Sequence, residues 1–223
     1  MSLIENSRLF ELLIHALIVF TAFPVHECAH AWAADRLGDD TAKKQGRLTL
    51  NPFKHLDVLG TLFMLFADFG WAKPVPVDPR KFKNPKNGMA LSSLAGPASN
   101  LVMAYIAMVI FRILYAVLMS SAGTETLYNI SYIFSMIVYL NVALAVFNLL
   151  PVPPLDGSRI FNLFMSESTY FKVMKYERYI QIALMFAVYM GVLDVPLYYL
   201  RTWTIDIMFI LTDWVDAVMK III

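Results

Sequence analysis

Long apolar stretches separated by short polar loops dominate the chain. Residues 87–111 and 127–155 contain no Asp, Glu, Lys or Arg, and residues 12–34 contain only Glu27. An apolar segment of about 20 residues is long enough to cross the hydrocarbon core of a bilayer as a helix. Three such stretches in one chain predict a membrane protein that crosses the bilayer several times.

Proline and glycine signals divide these stretches into helices. A first helix is predicted from about Leu9 to Leu37, with a kink at Pro24 and a stop at Gly38. Four further apolar helices are predicted, over residues 88–118, 127–150, 179–194 and 197–220. We therefore expect an all-α polytopic membrane protein with about five spanning helices.

Two segments between the first and second of these helices do not have the pattern of a spanning helix. Val58 to Phe69 is apolar but only 12 residues long, so we expect a re-entrant or half-buried segment. Trp71 to Val77 carries Pro74 and Pro76 beside β-branched valines, which predicts an extended, β-like edge element.

The distribution of Lys and Arg predicts the orientation. If residues 58–69 do not cross, loops 35–57, 73–87 and 156–178 lie on one side of the membrane and hold 14 of the 18 basic residues. Cytoplasmic loops carry an excess of Lys and Arg, so we expect this side to be cytoplasmic. A crossing at residues 58–69 would largely remove the asymmetry, which favours the non-crossing topology.

Composition and charge exclude several classes of protein. Of the 223 residues 59% are hydrophobic and 16% charged, which disfavours a water-soluble enzyme, and the net charge of +1 offers no basic surface for nucleic acid. The lone cysteine, Cys28, excludes an intrachain disulfide and a thiolate-only metal site. Four histidines are too few for a membrane di-iron hydroxylase.

The beginning of the chain does not match a cleavable signal peptide. Glu5, Arg8 and Glu11 offset a positive leading region, and no Ala-x-Ala site follows. We therefore expect the first apolar segment to remain in the mature protein. The absence of a targeting segment and the compact size favour a bacterial plasma membrane over an organelle membrane.

The residues His26-Glu27-Cys28-Ala29-His30 match the pattern His-Glu-x-x-His. Residues i and i+4 lie on one face of a helix, so His26 and His30 can share one Zn²⁺, with Glu27 beside them as a base for water. In the alternative, the two histidines only make hydrogen bonds inside a helix bundle. Placing them with Glu27 in an apolar segment costs several kcal/mol unless they act together, which favours the metal interpretation.

A catalytic zinc takes three protein ligands, so the chain must supply one more. Asp156 follows the charge-free run 127–155 in a proline-rich segment and precedes Gly157, which permits close approach of the backbone. In isolation, Asp156 or Ser158 could equally cap the following helix. The non-crossing topology favours Asp156 as a ligand because it brings Asp156 to the side where the first helix ends.

The remaining histidines are weaker candidates. His15 is eleven residues before His26, roughly 16 Å along a helix, and is expected to be a buried polar contact. His55 lies in a basic loop and is expected to be a solvated loop histidine.

Charged residues far from these motifs are expected to be structural. Arg112 is expected to extend towards the membrane surface. Asp206, Asp213 and Asp216 share a broad face of the last helix. That face is expected to be solvated at the interface, with a gate or a water-lined wall as the alternative.

At these motifs the chain resembles the site-2 protease family of intramembrane zinc metalloproteases, peptidase family M50. The resemblance rests on His-Glu-x-x-His and on residues 148–157, Asn-Leu-Leu-Pro-Val-Pro-Pro-Leu-Asp-Gly, and covers about Phe23 to Ile160. The landmarks between them are Leu50-Asn51-Pro52, His55-Leu56-Asp57 before Gly60-Thr61, Gly70-Trp71-Ala72-Lys73-Pro74-Val75 and Gly96-Pro97-Ala98-Ser99-Asn100.

The resemblance implies one Zn²⁺ per chain held by His26, His30 and Asp156, with Glu27 as the general base. It also implies polar or substrate-binding residues near the site, namely Asn100, Asn148, Trp71, Lys73 and Pro74. The two asparagines could instead join helices by hydrogen bonds. The extended segment could pair with an unwound substrate, which we prefer, or plug a water path.

The resemblance implies an endopeptidase that cuts membrane protein substrates within or near their transmembrane helices. The alternative is a catalytically silent protein of the same fold that binds membrane helices. A transporter is disfavoured because the two halves show no paired helix interruptions. We expect one membrane domain over 1–223, with a core at 9–160, accessory helices at 161–223, and no PDZ or CBS domain.

Overall fold

The structure is a computed structural model that describes residues 16–67, 71–119 and 123–222. Within these ranges the chain is almost entirely helical and forms no sheet, which confirms the predicted all-α class in its broad form. The predicted start of the first helix at Leu9, and His15 with it, lie outside the described residues.

The helices are labelled in chain order. They are α1 (Phe23–Arg36), α2 (Thr41–Lys44), α3 (Val58–Ala67), α4 (Pro85–Leu118), α5 (Thr124–Asn148), α6 (Asp156–Phe161), α7 (Glu167–Lys175), α8 (Glu177–Tyr189) and α9 (Asp194–Ile222). Single 3₁₀ turns lie at Pro52–Lys54, Pro79–Lys81 and Asn162–Phe164.

Two helices of the described ranges, α4 and α5, are long and apolar enough to cross a membrane. Helices α8 and α9 meet the same criterion only if they are taken as one span, and they meet at an 83° bend near Gly191. The described residues thus contain two such helices, or three if the bent pair counts as one. This is the architecture of a helical membrane protein.

Helix α1 begins irregularly. Residues Ile18–Ala22 form a π-helical turn, and Pro24 lies in the first turn of the α-helix that follows. Because proline has no N–H, it cannot continue the ladder of i→i−4 hydrogen bonds, and an irregular turn results at the predicted kink. The helix ends before Gly38, which has a φ of 108° that suits glycine.

The core lies where α4, α5 and α9 pack together. Its buried apolar side chains are Ala104, Ala107, Met108, Val138, Val142, Val146 and Met208. The first half of α4 instead packs against α1 with small residues, among them Ser92, Ser93 and Gly96. Small residues allow two helix backbones to approach closely, which is how membrane helices associate.

Residues 71–78 are extended and lie beside α3 and the loop that precedes it. Leu56 and Ala72 form one isolated antiparallel bridge, and the Lys73 N–H donates to the His55 carbonyl at 2.8 Å. A Cβ atom on Gly60 would come within 2.1 Å of the Trp71 carbonyl oxygen, so α3 and this segment touch. Within the described residues this segment is extended and forms a single isolated bridge, so its predicted β-like edge character stays a prediction.

The prediction of a solvated His55 was wrong. His55 is fully buried at 0% exposure, and its Nε2 lies 2.7 Å from the Thr49 carbonyl oxygen. The loop that carries His55 folds inward against the extended segment. The buried histidine therefore contacts that segment, through the hydrogen bond from the Lys73 N–H to the His55 carbonyl. A polar loop composition gives no sign of this folding.

That Arg112 extends towards the membrane surface stays a prediction, but its side chain also joins two helices. The Arg112 guanidinium donates hydrogen bonds to the carboxylates of Asp216 and Asp213, the latter at 2.8 Å. It also donates to the Phe209 carbonyl at 2.9 Å. The Arg112 side chain is only 10% exposed, whereas those of Asp213 and Asp216 are 68% and 52% exposed. Because α9 lies along α4, the arginine binds residues of α9.

Candidate metal centre

Helix α1 places the two histidines of the His-Glu-x-x-His pattern on its buried face. His26 and His30 are 4% and 8% exposed, and their Nε2 atoms lie 3.0 Å apart. One helical turn separates the residues, so both rings reach the same point.

The other nitrogen of each ring faces a hydrogen-bond acceptor. His26 Nδ1 lies 2.6 Å from Asn100 Oδ1, and His30 Nδ1 lies 2.7 Å from the Ser92 carbonyl oxygen. Because both partners are acceptors, each Nδ1 carries the proton. Each Nε2 is then left with a lone pair, and the two lone pairs converge.

Asp156 reaches the same point from the first turn of α6. Its Oδ2 lies 3.2 Å from the Nε2 atoms of both His26 and His30. The turn before α6 is tight, since a Cβ atom on Gly157 would come within 2.2 Å of the Leu149 carbonyl oxygen. The Asp156 carboxylate therefore faces the histidines. It is not the cap of α6, because the N-cap residue is Leu155 and no side chain caps this helix.

The three donor atoms fit a zinc ion. Zinc takes imidazole nitrogen and carboxylate oxygen at about 2.0–2.1 Å in tetrahedral geometry, which separates neighbouring donors by about 3.3 Å. The separations between the Nε2 atoms of His26 and His30 and the Oδ2 of Asp156 are 3.0, 3.2 and 3.2 Å. Three protein ligands leave a fourth position open, as in catalytic zinc sites.

Gly96 of α4 leaves the space that this site needs. A Cβ atom there would lie 2.3 Å from His30 Nε2 and 2.7 Å from His26 Nε2. Any side chain at this position would therefore occupy the point where the ligand atoms converge. The sequence marks Gly96 only as part of a family landmark and gives no sign of this role.

Glu27 lies beside the three candidate ligands in a cavity of about 460 Å³. Its Oε2 accepts a hydrogen bond from the Val75 N–H at 3.1 Å, so the extended segment holds the carboxylate in place. A larger cavity of about 870 Å³ surrounds Arg112 between α4 and α9, and none of these four residues lines it.

Arg47 binds the extended segment and carries its positive charge near Glu27. Its guanidinium donates to the Lys73 carbonyl oxygen at 2.5 Å. Burial lowers the pKa of Arg47, and the negative charge of Glu27 acts in the opposite direction. Arg47 was missed in the sequence, because an arginine in a basic loop has no distinguishing pattern.

The structure divides the other predicted site residues into two groups. Trp71, Pro74 and Asn148 line the cavity, although the Asn148 side chain donates to the carbonyl of Leu144 in its own helix. Lys73 does not line the cavity, and its hydrogen bonds to other described residues are made by its backbone N–H and carbonyl.

Asn100 combines the two roles considered for it. It accepts from His26, and its Nδ2 donates to Asn141 Oδ1 of α5 at 3.0 Å. Asn100 and Asn141 are buried at 0% and 4% exposure. Asn141 was missed in the sequence, although an asparagine inside the charge-free run 127–155 is a usable signal.

Known proteins resemble this chain over most of its length. The family model described as peptidase family M50 matches residues 14–192. The "Putative zinc metalloprotease YwhC" of Bacillus subtilis is 48% identical over 171 residues, which cover 75% of each chain. The "Putative zinc metalloprotease Rip2" of Mycolicibacterium smegmatis is 33% identical over 137 residues, which cover 60% of this chain and 50% of Rip2. No solved structure matches the chain.

Proposed function

The chain belongs to peptidase family M50 and is a zinc metalloprotease of the membrane, and we propose that it cuts membrane proteins within or near their transmembrane segments. The observation that carries this proposal is the convergence of two histidines and a carboxylate beside Glu27, in a cavity next to α4 and α5. Both helices are long and apolar enough to cross a bilayer.

His26, His30 and Asp156 are the proposed ligands of one Zn²⁺ per chain. Asn100 and the Ser92 carbonyl hold the two rings so that each Nε2 would be free to bind the ion. When bound, the ion supplies Lewis acidity, which lowers the pKa of a water molecule and polarises a peptide carbonyl.

Glu27 is the proposed general base. The Val75 N–H fixes Oε2, which leaves Oε1 to take a proton from the attacking water. Glu27 then gives this proton to the nitrogen of the leaving amine. A positioned acid–base group of this kind contributes about 10²- to 10⁴-fold to the rate.

A transmembrane helix hides its peptide bonds, so the substrate must unwind before it is cut. Backbone groups exposed in lipid each cost several kcal/mol unless they are paired. The extended segment Trp71–Val77 offers an edge to which an unwound substrate strand can add. The alternative role of this segment is to plug the path of water to the cavity.

Contacts between the three basic loops support the proposed topology, in which residues 58–69 do not cross. Lys81 pairs with Asp40 at 2.7 Å, which joins loop 73–87 to loop 35–57. Lys86 donates to the Met165 carbonyl at 2.8 Å, which joins loop 73–87 to loop 156–178. These contacts support the proposal that all three loops lie on one side of the membrane, and we propose that this side is cytoplasmic.

The remaining parts of the proposal concern the whole protein. We propose about five spans in a single metalloprotease domain over residues 1–223, with the core at 9–160 and accessory helices at 161–223. The relatives named above come from bacteria, which supports a bacterial plasma membrane as the location.

The test uses purified wild type and Glu27→Gln with a panel of single-span membrane helices in detergent, with zinc measured in parallel. Glu125→Gln makes the same chemical change at an exposed position at the start of α5. We expect cleavage by wild type and Glu125→Gln and a loss of about 10²-fold or more in Glu27→Gln, with zinc retained in all three. Zinc bound at one per chain with no cleavage of any helix would favour the silent binding protein.

A further inference from the structure

The two candidate histidine ligands are oriented by different kinds of group. His30 Nδ1 lies 2.7 Å from the Ser92 carbonyl oxygen, and a backbone carbonyl can only accept, so the proton is fixed on His30 Nδ1. His26 Nδ1 instead lies 2.6 Å from Oδ1 of Asn100. An asparagine amide has an acceptor on one side and a donor on the other. Asn100 therefore orients His26 only if its own amide is held in one orientation.

A second buried asparagine holds the amide of the first. Asn100 of α4 donates from Nδ2 to Asn141 Oδ1 of α5 at 3.0 Å. Asn141 in turn donates from its own Nδ2 to the Ile137 carbonyl oxygen, one turn earlier in α5, at 2.9 Å. The side chains are buried, with Asn100 at 0% and Asn141 at 4% exposure, so bulk water does not compete for these bonds. We call Asn100 and Asn141 the asparagine pair.

The Ile137 carbonyl gives the asparagine pair its direction. Reversal of the Asn141 amide would place its Oδ1 against the Ile137 carbonyl oxygen, and two acceptors cannot share a hydrogen bond. Reversal of the Asn100 amide alone would place its Oδ1 against Oδ1 of Asn141. Each reversal leaves buried polar atoms without a partner, which is costly. The observed orientation is therefore the one that satisfies both amides and presents an acceptor to His26.

We propose that Asn141 is a positioning residue of the metal centre, which acts through Asn100 to leave the Nε2 lone pair of His26 available to the ion. A reversed Asn100 amide would present its NH₂ group to His26 Nδ1, and the ring proton would then occupy Nε2. This inference rests on the proposed function, because it takes His26 as a ligand. It adds a residue of α5 that does not line the cavity around Glu27.

The Ala22 carbonyl is a weaker partner of the asparagine pair. It lies 3.5 Å from Asn100 Nδ2, at the limit of hydrogen-bond length. It faces the same amide group as Asn141 Oδ1 and would retain part of the orientation without Asn141. We therefore expect a smaller effect for substitutions of Asn141 than for those of Asn100.

The first experiment measures zinc affinity in detergent by competition with a chelator. Asn141→Leu removes the amide at similar size, and we expect the dissociation constant of zinc to rise about two- to tenfold, because about one net hydrogen bond of the support is lost. Asn141→Ala removes the same groups with a smaller side chain and should act in the same direction. Asn141→Asp retains an oxygen that accepts from Asn100 Nδ2 and should keep more affinity than either.

Val142→Ala is the matched control for a general loss of stability. Val142 is the next residue of α5 and lies in the core at 0% exposure. Its truncation removes buried apolar contacts and leaves the asparagine pair in place. We expect a lower thermal midpoint in Val142→Ala with the zinc affinity of the wild type.

The second experiment records the ring N–H signals of zinc-loaded protein that carries ¹⁵N-labelled histidine. A ring that binds metal through Nε2 carries its proton on Nδ1. In Asn141→Leu we expect the Nδ1–H of His26 to exchange with water about two- to tenfold faster, because its acceptor is held less firmly. The Nδ1–H of His30 should exchange as in the wild type, because the Ser92 carbonyl is its acceptor.

His26→Ala and the cleavage assay separate failure of this inference from failure of the proposed function. Zinc lost in His26→Ala, with zinc affinity and His26 exchange unchanged in Asn141→Leu or changed equally in Val142→Ala, would overturn the inference and leave the function intact. The expected changes in Asn141→Leu, with no cleavage of any membrane helix by wild type, would support the inference and overturn the proposed cleavage. Zinc retained in His26→Ala would overturn the proposed ligands and the inference with them.

Discussion

The two halves of helix α4 both carry buried polar groups but use them differently. The first half packs Ser92, Gly96 and Asn100 against α1, where they contact or adjoin the two histidines. The second half carries Arg112, which binds two largely exposed carboxylates of α9. The first half of α4 positions the two histidines of the candidate metal centre, where the distances between the ligand atoms must suit the ion. The second half holds α9 against α4.

This difference predicts how each half responds to substitution. At the histidines each Nδ1 has an acceptor and the two Nε2 atoms converge with Asp156 on one point, so an atom added there from α4 would displace the ligands. At Arg112 the partners are exposed and water can replace them, so the free energy involved is small. Substitutions in the first half should weaken or abolish metal binding, and those in the second half should change stability only.

The largest effect is expected for Gly96→Ala. The added methyl group would lie within 2.7 Å of both histidine Nε2 atoms, so the ligands must separate and zinc should be lost. Metal analysis of the purified protein measures this directly. Gly123→Ala, whose Cβ meets no atom within 4 Å, should bind zinc as the wild type does. Full zinc content in Gly96→Ala would show that α4 does not limit the space at the site.

A smaller effect is expected for Asn100→Ala. Loss of the acceptor for His26 Nδ1 should reduce zinc affinity by about 10- to 100-fold, the usual range for groups that orient a metal ligand. Competition with a chelator measures it. Asn100→Asp keeps an acceptor oxygen and should retain more affinity than Asn100→Ala. Asn148→Ala should leave zinc affinity unchanged, because that side chain bonds within its own helix.

In the second half of α4, Arg112→Met should lower the free energy of unfolding by about 1 kcal/mol, since its partners are exposed. This corresponds to a fall of a few degrees in the thermal midpoint. Zinc content should remain that of the wild type. Loss of zinc in this variant would contradict the division of α4 into two halves.

The smallest expected effect is a pH dependence of the stability of the fold, which comes from Asp39 in the polar loops. Burial acts to raise the pKa of Asp39, but hydrogen bonds from Thr41 and the Asp78 N–H, with the charge of Lys81, hold it below its ordinary value. Asp39 therefore stabilises the fold above its unfolded-state pKa of about 3.9, and this contribution is lost as the pH falls through the lowered folded-state pKa.

Thermal unfolding of wild type and Asp39→Asn between pH 7 and pH 3 measures this contribution. We expect a constant difference in midpoint between the two proteins from pH 7 to pH 5 and a shrinking one below about pH 4. A difference that grows towards low pH would contradict the assigned sign.

The sequence predicted those parts of the site that have a characteristic spacing. His26 and His30 were found from their separation of one helical turn, and Asp156 from its place after a long charge-free run and before Gly157. The structure brings these residues together as expected, with the ligand atoms within 4.8 Å of one another. Their roles as ligands and base are still proposals.

Residues whose position depends on how separate segments pack could not be predicted. His55 and Arg47 lie in a loop with a polar composition, yet the loop folds under the extended segment and buries both. Arg112 depends on α9 lying along α4, which no local pattern indicates. Gly96 matters because its lack of a side chain leaves room for the two histidine Nε2 atoms. The sequence alone does not show that this glycine faces the histidines.

Zinc K-edge absorption spectroscopy of the purified protein tests the central claim most directly. We expect two imidazole nitrogens and carboxylate oxygen at about 2.0–2.2 Å from the zinc and no sulfur, with the carboxylate contribution lost in Asp156→Asn. A sulfur ligand at about 2.3 Å, which could come only from Cys28 or a methionine, or a spectrum unchanged in Asp156→Asn, would contradict it.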